Sequence, residues 1–216
     1  MKIDEKVLKH ILICVSVVAF IMSIHSYFQV KELKMDLMTE KERVTELQGD
    51  IEYLQNFMTS DNLSYAIKTC DDFDEYLRLL RDSTGYTALI AVKDIQGNCI
   101  NKNETDILKN MGFDQADVLL EPKYHAFIGV VKDGKMLYQH VGGDEAITYE
   151  TRVCAKDVRI ESATLNVGDR AVIKVDGVDN SVNGRGYNIV VIENKSGKIV
   201  DSVVFDAFLE DKPCYR

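Results

Sequence analysis

The side chains that could do chemistry fall in a few small groups. Asp71-Asp72, and Asp176 with Asp179, bring carboxylates close in sequence, as general acid-base work or a calcium site needs; His125 and His140 flank a predicted hairpin. Acids at turns and helix starts answer local hydrogen-bonding needs, so capping and turn roles are the reading adopted for both pairs. The two histidines have no cysteine or acid at a fixed metal-ligand spacing, so no metal and no cofactor are expected. Gly184-Arg185-Gly186 is too short for a nucleotide fingerprint. It reads as a tight loop feeding a buried strand, with Arg185 solvated or paired to a carboxylate such as Asp176 or Asp179. There is no G-x-S-x-G, no phosphate loop and no H-E-x-x-H, and the four histidines are scattered. The chain therefore reads as a binding protein rather than an enzyme.

Five cysteines divide unevenly: Cys14 lies in an apolar N-terminal run, while Cys70, Cys99, Cys154 and Cys214 lie in the rest of the chain. None forms C-x-x-C or a zinc spacing. An even set reads as a disulfide framework in an oxidising compartment, with four buried thiols as the alternative; four cysteines allow three pairings.

These residues must be carried by a chain of 216 residues, 46% hydrophobic and 28% charged, which holds one ordinary domain plus accessory segments. A net charge of -9 with no basic stripe excludes nucleic acid as a partner. Residues 1–10 read as a cytoplasmic tail and 11–29 as a transmembrane helix, because Ile11 to Phe28 is apolar with few interruptions and long enough for a hydrocarbon core of ~30 Å. A cleaved signal peptide is the rival, but no small-x-small site follows. Lysines flank both sides, so orientation rests on the cysteines: N-terminus inside, domain outside.

Val30, Leu33, Leu37, Val44, Leu47, Ile51, Leu54 and Met58 then recur at spacings of three and four, with Glu40 the polar intruder. This marks residues 30–58 as a coiled-coil stalk of about 43 Å at ~1.5 Å per residue, and hence a homo-oligomer. After Asp61 the period changes. Helices are predicted around Phe73 to Leu80 and Thr105 to Met111. Strands are predicted at Tyr86 to Val92, Ala126 to Val131, Met136 to Gln139, Val158 to Leu165, Ala171 to Val175, Tyr187 to Glu193 and Ile199 to Phe205. The fold class is α+β: an antiparallel, sandwich-like β-sheet with flanking helices, preceded by the membrane helix and the coiled coil.

The strand motifs carry a resemblance. Val158-Arg-Ile-Glu-Ser162, Ile173-Lys-Val-Asp-Gly177, Asn183-Gly-Arg-Gly-Tyr-Asn188 and Gly197-Lys-Ile-Val-Asp-Ser202 through Phe205-Asp206 resemble, in order, the core of the ILEI/PANDER (interleukin-like EMT inducer) family. The family's later elements look like earlier segments here: a helix at Phe73 to Leu80, Ala91-Val-Lys-Asp94, Leu108-Lys-Asn-Met-Gly112 and Ala126-Phe-Ile-Gly129. The domain, 68–216, thus looks circularly permuted: 70–140 resembles the family's C-terminal half and 154–208 its N-terminal half.

The resemblance implies neighbouring ends at Cys70 and Cys214, whose bridge would contribute up to ~4 to 5 kcal/mol in the chain-entropy model. That would leave Cys99 with Cys154. It also implies carbohydrate or cell-surface recognition, with Asp94 accepting sugar hydroxyls. The tryptophans and arginine of sugar-binding relatives are replaced by Glu121-Pro-Lys-Tyr-His-Ala-Phe127, so Lys123, Tyr124, His125 and Arg185 are the remaining candidates. The competing readings are a structural spacer without a ligand, or a hydrolase-like enzyme using Asp94 with His125 or His140. Asn62, Asn103 and Asn194 head N-x-S/T sequons that a eukaryotic secretory host could glycosylate.

Overall fold

The computed structural model describes the backbone of residues 5–96 and 99–216, and the side chains of these residues apart from 5–21, 32, 46, 49–61 and 96. The chain divides into two compact units, Met1–Met58 and Thr59–Arg216. Helix α1, Glu5–Thr69, crosses that division. Its described side chains between Met22 and Gln48 are all exposed, including Val30, Leu33, Leu37, Val44 and Leu47.

No helix among the described residues is long and apolar enough to cross a membrane. Residues 11–21 of the expected span and 49–58 of the expected stalk fall outside the described side chains. The helix ends at Thr69, not near Asp61, because Leu63 and Ile67 on its last turns pack into the second unit's core.

The second unit continues with α2 (Phe73–Asp82), β1 (Tyr86–Lys93), β2 (Ile95–Gln96) and α3 (Lys102–Asn110). A 3-10 turn at Ala116–Leu120 precedes β3 (Tyr124–His125), β4 (Phe127–Lys132), β5 (Lys135–Val141), β6 (Ala146–Val153) and β7 (Lys156–Ala163). The chain closes with β8 (Arg170–Val175), β9 (Val178–Asp179), β10 (Gly186–Glu193), β11 (Ile199–Phe205) and β12 (Cys214–Tyr215).

Strands β5-β4-β1-β10-β11-β12 run side by side, each antiparallel to its neighbour, and β6-β7-β8-β9 form a second antiparallel run. One parallel bridge, Lys93 to Ala163, joins β1 to β7, so the sheet is curled and mixed rather than purely antiparallel. The class is α+β.

Strands β1 and β10 are apolar on both faces because each feeds two cores. Ala88, Ile90 and Val92, with Tyr187, Ile189 and Val191, pack with Phe73, Tyr76, Leu77 and Leu80 of α2 and Ile107 and Leu108 of α3. Their alternates Leu89, Ala91, Val190 and Ile192 pack with Ile128 and Val130 of β4 and with Ile147, Ile160 and Ile173 of the second run. Full burial of each large side chain stabilises by about 1.5–3 kcal/mol, which fixes the register of these two strands.

Local signals set the ends. Asp72 caps α2 by accepting from the Glu75 N–H at 2.8 Å, as its position predicts. Asn101 and Glu104 form a capping box that starts α3 three residues before Thr105. Asp133-Gly134 and Asp176-Gly177 make two-residue hairpin turns with positive φ at both residues. The ends of the unit meet: the Arg216 guanidinium donates to the carbonyls of Ile67 (3.2 Å) and Cys70 (2.9 Å).

Candidate functional site

Strand β1 carries Lys93 and Asp94 to one end of the sheet. Asp94 takes a positive φ of 53°, which ends the strand and turns the chain into β2. There β2 pairs with β3, setting Ile95 opposite His125 and Gln96 opposite Tyr124. Asp94, Tyr124 and His125, far apart in sequence, are thereby brought to adjoining positions.

Two further loops complete this end. Gly168-Asp169 before β8 and Asn183 before β10 also run through positive φ. The Lys93 ammonium lies 3.7 Å from the Asp169 carboxylate and donates to the Asn183 carbonyl at 3.3 Å. The Asn183 side chain accepts from the Ala171 N–H, tying its own loop to β8. From the next turn Arg185 grips Asp206 in a fork: Nε to Oδ1 at 2.8 Å and Nη2 to Oδ2 at 2.7 Å. The same guanidinium covers the Phe208 ring, 4.4 Å from its centroid.

The expected partners of Arg185 are corrected by this geometry. Asp176 instead holds the Lys156 ammonium and the Asp157 N–H, and Asp179 accepts from the N–H and hydroxyl of Ser181. Both acids belong to the β8–β9 hairpin, whereas Gly186 turns Arg185 toward the end of β11.

The electrostatics leave Asp94 as the partly exposed open acceptor, while the Asp169 Oδ1 is buried without a hydrogen-bond partner among the described residues. Arg185 holds the Asp206 carboxyl below the usual range, and Lys93 is shared between Asp169 and Asn183. Asp94 accepts no hydrogen bond among the described residues. Partial burial, and secondarily the Asp169 charge, push its pKa up, partly offset by Arg185 and Lys93. Around these charges stand exposed apolar side chains on the same loops: Leu165 and Val167, Val182, Phe208 and Leu209.

The other candidates divide. Lys123 is exposed and paired with Glu121 at 3.0 Å. Tyr124 is half-buried, and His125 is buried with Nδ1 3.2 Å from the Gly142 carbonyl and no partner for Nε2 among the described residues. His140 is exposed on β5, opposite Ile128. Sequence reasoning did not select Lys93, Asp169, Asn183, Asp206 or Phe208 as site residues; Asn183 and Asp206 entered only as parts of the family-like strand motifs.

A separate cavity of about 320 Å3 lies on β6–β8, lined by Glu150, Asp157, Arg159 and Lys174 among others. Arg159 there is already paired with Glu150 and Glu161, which marks a solvated ion ladder, so the Asp94 end is the better site. No three His, Cys, Asp or Glu side chains among the described residues are grouped to hold a metal.

No disulfide joins the four domain cysteines. Cys99 belongs to the helix-side core and Cys154 to the opposite one, so the central sheet separates them and the expected Cys99–Cys154 bridge is not formed. Cys70 and Cys214 both pack against the helix-side core, and Arg216 contacts the Cys214 Sγ (3.1 Å) as well as the Cys70 carbonyl. The Asn194 sequon amide is engaged internally, donating to Asp133 and accepting from Thr87 and Cys154.

No family model matches the chain, and no curated protein or solved structure matches it.

Proposed function

We propose that the chain is a membrane-tethered recognition module, ILEI/PANDER-like, that holds a hydroxyl-rich ligand, a glycan or a glycosylated surface partner, at the Asp94 end of its sheet. The observation that supports this most is the open Asp94 acceptor beside neighbouring charges that are already paired. A carboxylate without an internal partner accepts ligand hydroxyls without first losing a bond, and the exposed Phe208 ring offers a face to apolar C–H groups. The competing acid-base reading is disfavoured, because His125 is buried against Gly142 and His140 is on the outward side of β5.

In this reading residues 1–10 are cytoplasmic, 11–29 anchor the chain, 30–58 form a self-associating coiled-coil stalk, and the domain lies outside. Cys70 and Cys214, free thiols in this structure, are expected to join in that oxidising exterior.

Glycan-array screening of the purified chain, followed by calorimetric titration of any hit, tests the binding. Asp94→Asn is expected to weaken binding about tenfold or more, as loss of one charge-assisted hydrogen bond requires. Equal binding by Asp94→Asn, or no glycan retained by the folded wild type, rejects the reading in favour of a spacer. Protease accessibility of the domain in intact cells, with non-reducing peptide mapping for a Cys70–Cys214 peptide, tests the location separately.

A further inference from the structure

The first unit presents an exposed apolar face along one helix. Val30, Leu33, Leu37, Val44 and Leu47 are each at least 50% exposed on α1. Taking Val30 as heptad position a puts Val30, Leu37 and Val44 at a and Leu33, Glu40 and Leu47 at d. Valine at a with leucine at d favours two strands, with Leu37 at a and Glu40 at d the two departures. Asp36 then falls at g and Lys41 at the following e, both exposed. In a parallel, in-register pair each Asp36 faces Lys41 of the second copy, twice over. An antiparallel pair centred here sets Lys34 against Lys41, like charge against like, and so offsets the attraction it gains between Asp36 and Arg43.

We infer that the occupant of this face is a second copy of the same chain, parallel and in register, with Glu40 meeting Glu40 of the second copy in the seam. This deepens the self-association part of the proposed function and rests on that reading, since a shared membrane at one end admits only a parallel pair. Glu40 is a built-in weakness of the stalk. On its own helix it is neighboured by Asp36, Lys41 and Arg43, and from the second copy by Glu40 and Lys41. Lys41 offsets part of the repulsion, and the remainder keeps the pair weaker than a leucine seam would be.

The test uses the full chain in detergent. Sedimentation should give a dimer, and Leu37→Glu with Leu47→Glu should give a monomer whose domain retains its urea midpoint. Glu40→Leu should dimerise about tenfold more tightly than wild type. For orientation, Leu47→Cys is oxidised by a low-molecular-weight disulfide; two thiols are oxidised to one protein disulfide as that reagent is reduced to two thiols. Mapping should recover a disulfide between two copies of the peptide that carries the substitution. A monomeric wild type, a trimer, a dimer without that symmetric crosslink, or no tightening in Glu40→Leu overturns the inference. Carbonate extraction from membranes reports on the anchor independently, so failure of the stalk and failure of the anchor give different results.

Discussion

Arg185 and Asp206 face one another through two parallel hydrogen bonds, and this fork joins the loop before β10 to the loop after β11. The pair is two-thirds shielded on the arginine side and more on the aspartate side, so its contribution is modest, about 1 kcal/mol after allowance for solvent screening. Asp206→Asn and Arg185→Ala should each lower the urea-unfolding free energy by that order. The Asp206 pKa is lowered by folding, so its contribution is present above the unfolded value near 3.8 and is lost as pH falls through the folded one. Urea midpoints for wild type and Asp206→Asn should therefore converge in acid; a constant gap would reject the ion pair as the cause.

Asp94 shifts the other way, and the neighbours responsible can be removed one at a time. Carbon-detected NMR titration should place its midpoint above 3.8, with Asp169→Asn moving it down and Arg185→Ala moving it up. Because folding raises this pKa, its effect on stability is most favourable below 3.8 and declines as pH rises through the folded value. Asp94→Asn should accordingly be slightly more stable than wild type at neutral pH. A midpoint unmoved by both neighbours would mean that the three groups do not share one site.

Two buried tyrosines separate a satisfied hydroxyl from an unsatisfied one. The Tyr76 hydroxyl donates to Asp201 Oδ2 at 2.9 Å, while the Tyr187 hydroxyl, also buried, has no hydrogen-bond partner among the described residues. Tyr76→Phe should cost about 1–3 kcal/mol by stranding the buried Asp201 oxygen, whereas Tyr187→Phe should be neutral or stabilising by about 1 kcal/mol. Chemical denaturation of both variants decides it: a Tyr187→Phe loss equal to that of Tyr76→Phe would reveal a partner for Tyr187.

The strand positions were legible where burial and turn chemistry agree. Tyr86 to Val92 and Tyr187 to Ile192 are mostly apolar runs, broken only by Thr87 and Asn188, because both faces are covered, and Asp133-Gly134 announces its hairpin. Strand β6 escaped notice although Ile147, Tyr149, Thr151 and Val153 alternate, because its turn is Cys154-Ala155. Those two residues adopt φ of 52° and 62°, a conformation that Asn-Gly or Asp-Gly ordinarily signals. Half of the candidate site was legible. Asp94 was singled out only through the family resemblance of Ala91-Val-Lys-Asp94, and Asp169, Asn183 and Asp206 carry ordinary turn chemistry. The pairings of β1 with β7 and β10, and of β10 with β11, bring them together. The Arg185 partner was misassigned because nearness in sequence favoured Asp176 and Asp179, while the sheet returns β11 to that place.

Gly186 and Gly177 both have positive φ, 104° and 80°, and differ in what surrounds them. A Cβ on Gly186 would lie 2.0 Å from the Phe205 carbonyl oxygen and 2.6 Å from the Ala207 nitrogen, both backbone atoms that cannot move without breaking the β10–β11 ladder. A Cβ on Gly177 meets nothing within 4 Å. Gly177→Ala should cost about 1 kcal/mol from backbone conformation alone, and Gly186→Ala about 3 kcal/mol or more from conformation and collision together. Because Gly186 also sets the approach of Arg185 to Asp206, its substitution should abolish the pH-dependent part of stability assigned to that pair, while Gly177→Ala leaves it intact. Paired urea denaturation at pH 7 and pH 3 measures both effects, and equal losses for the two alanines would reject the close approach of β10 to β11 as the reason for a glycine at 186.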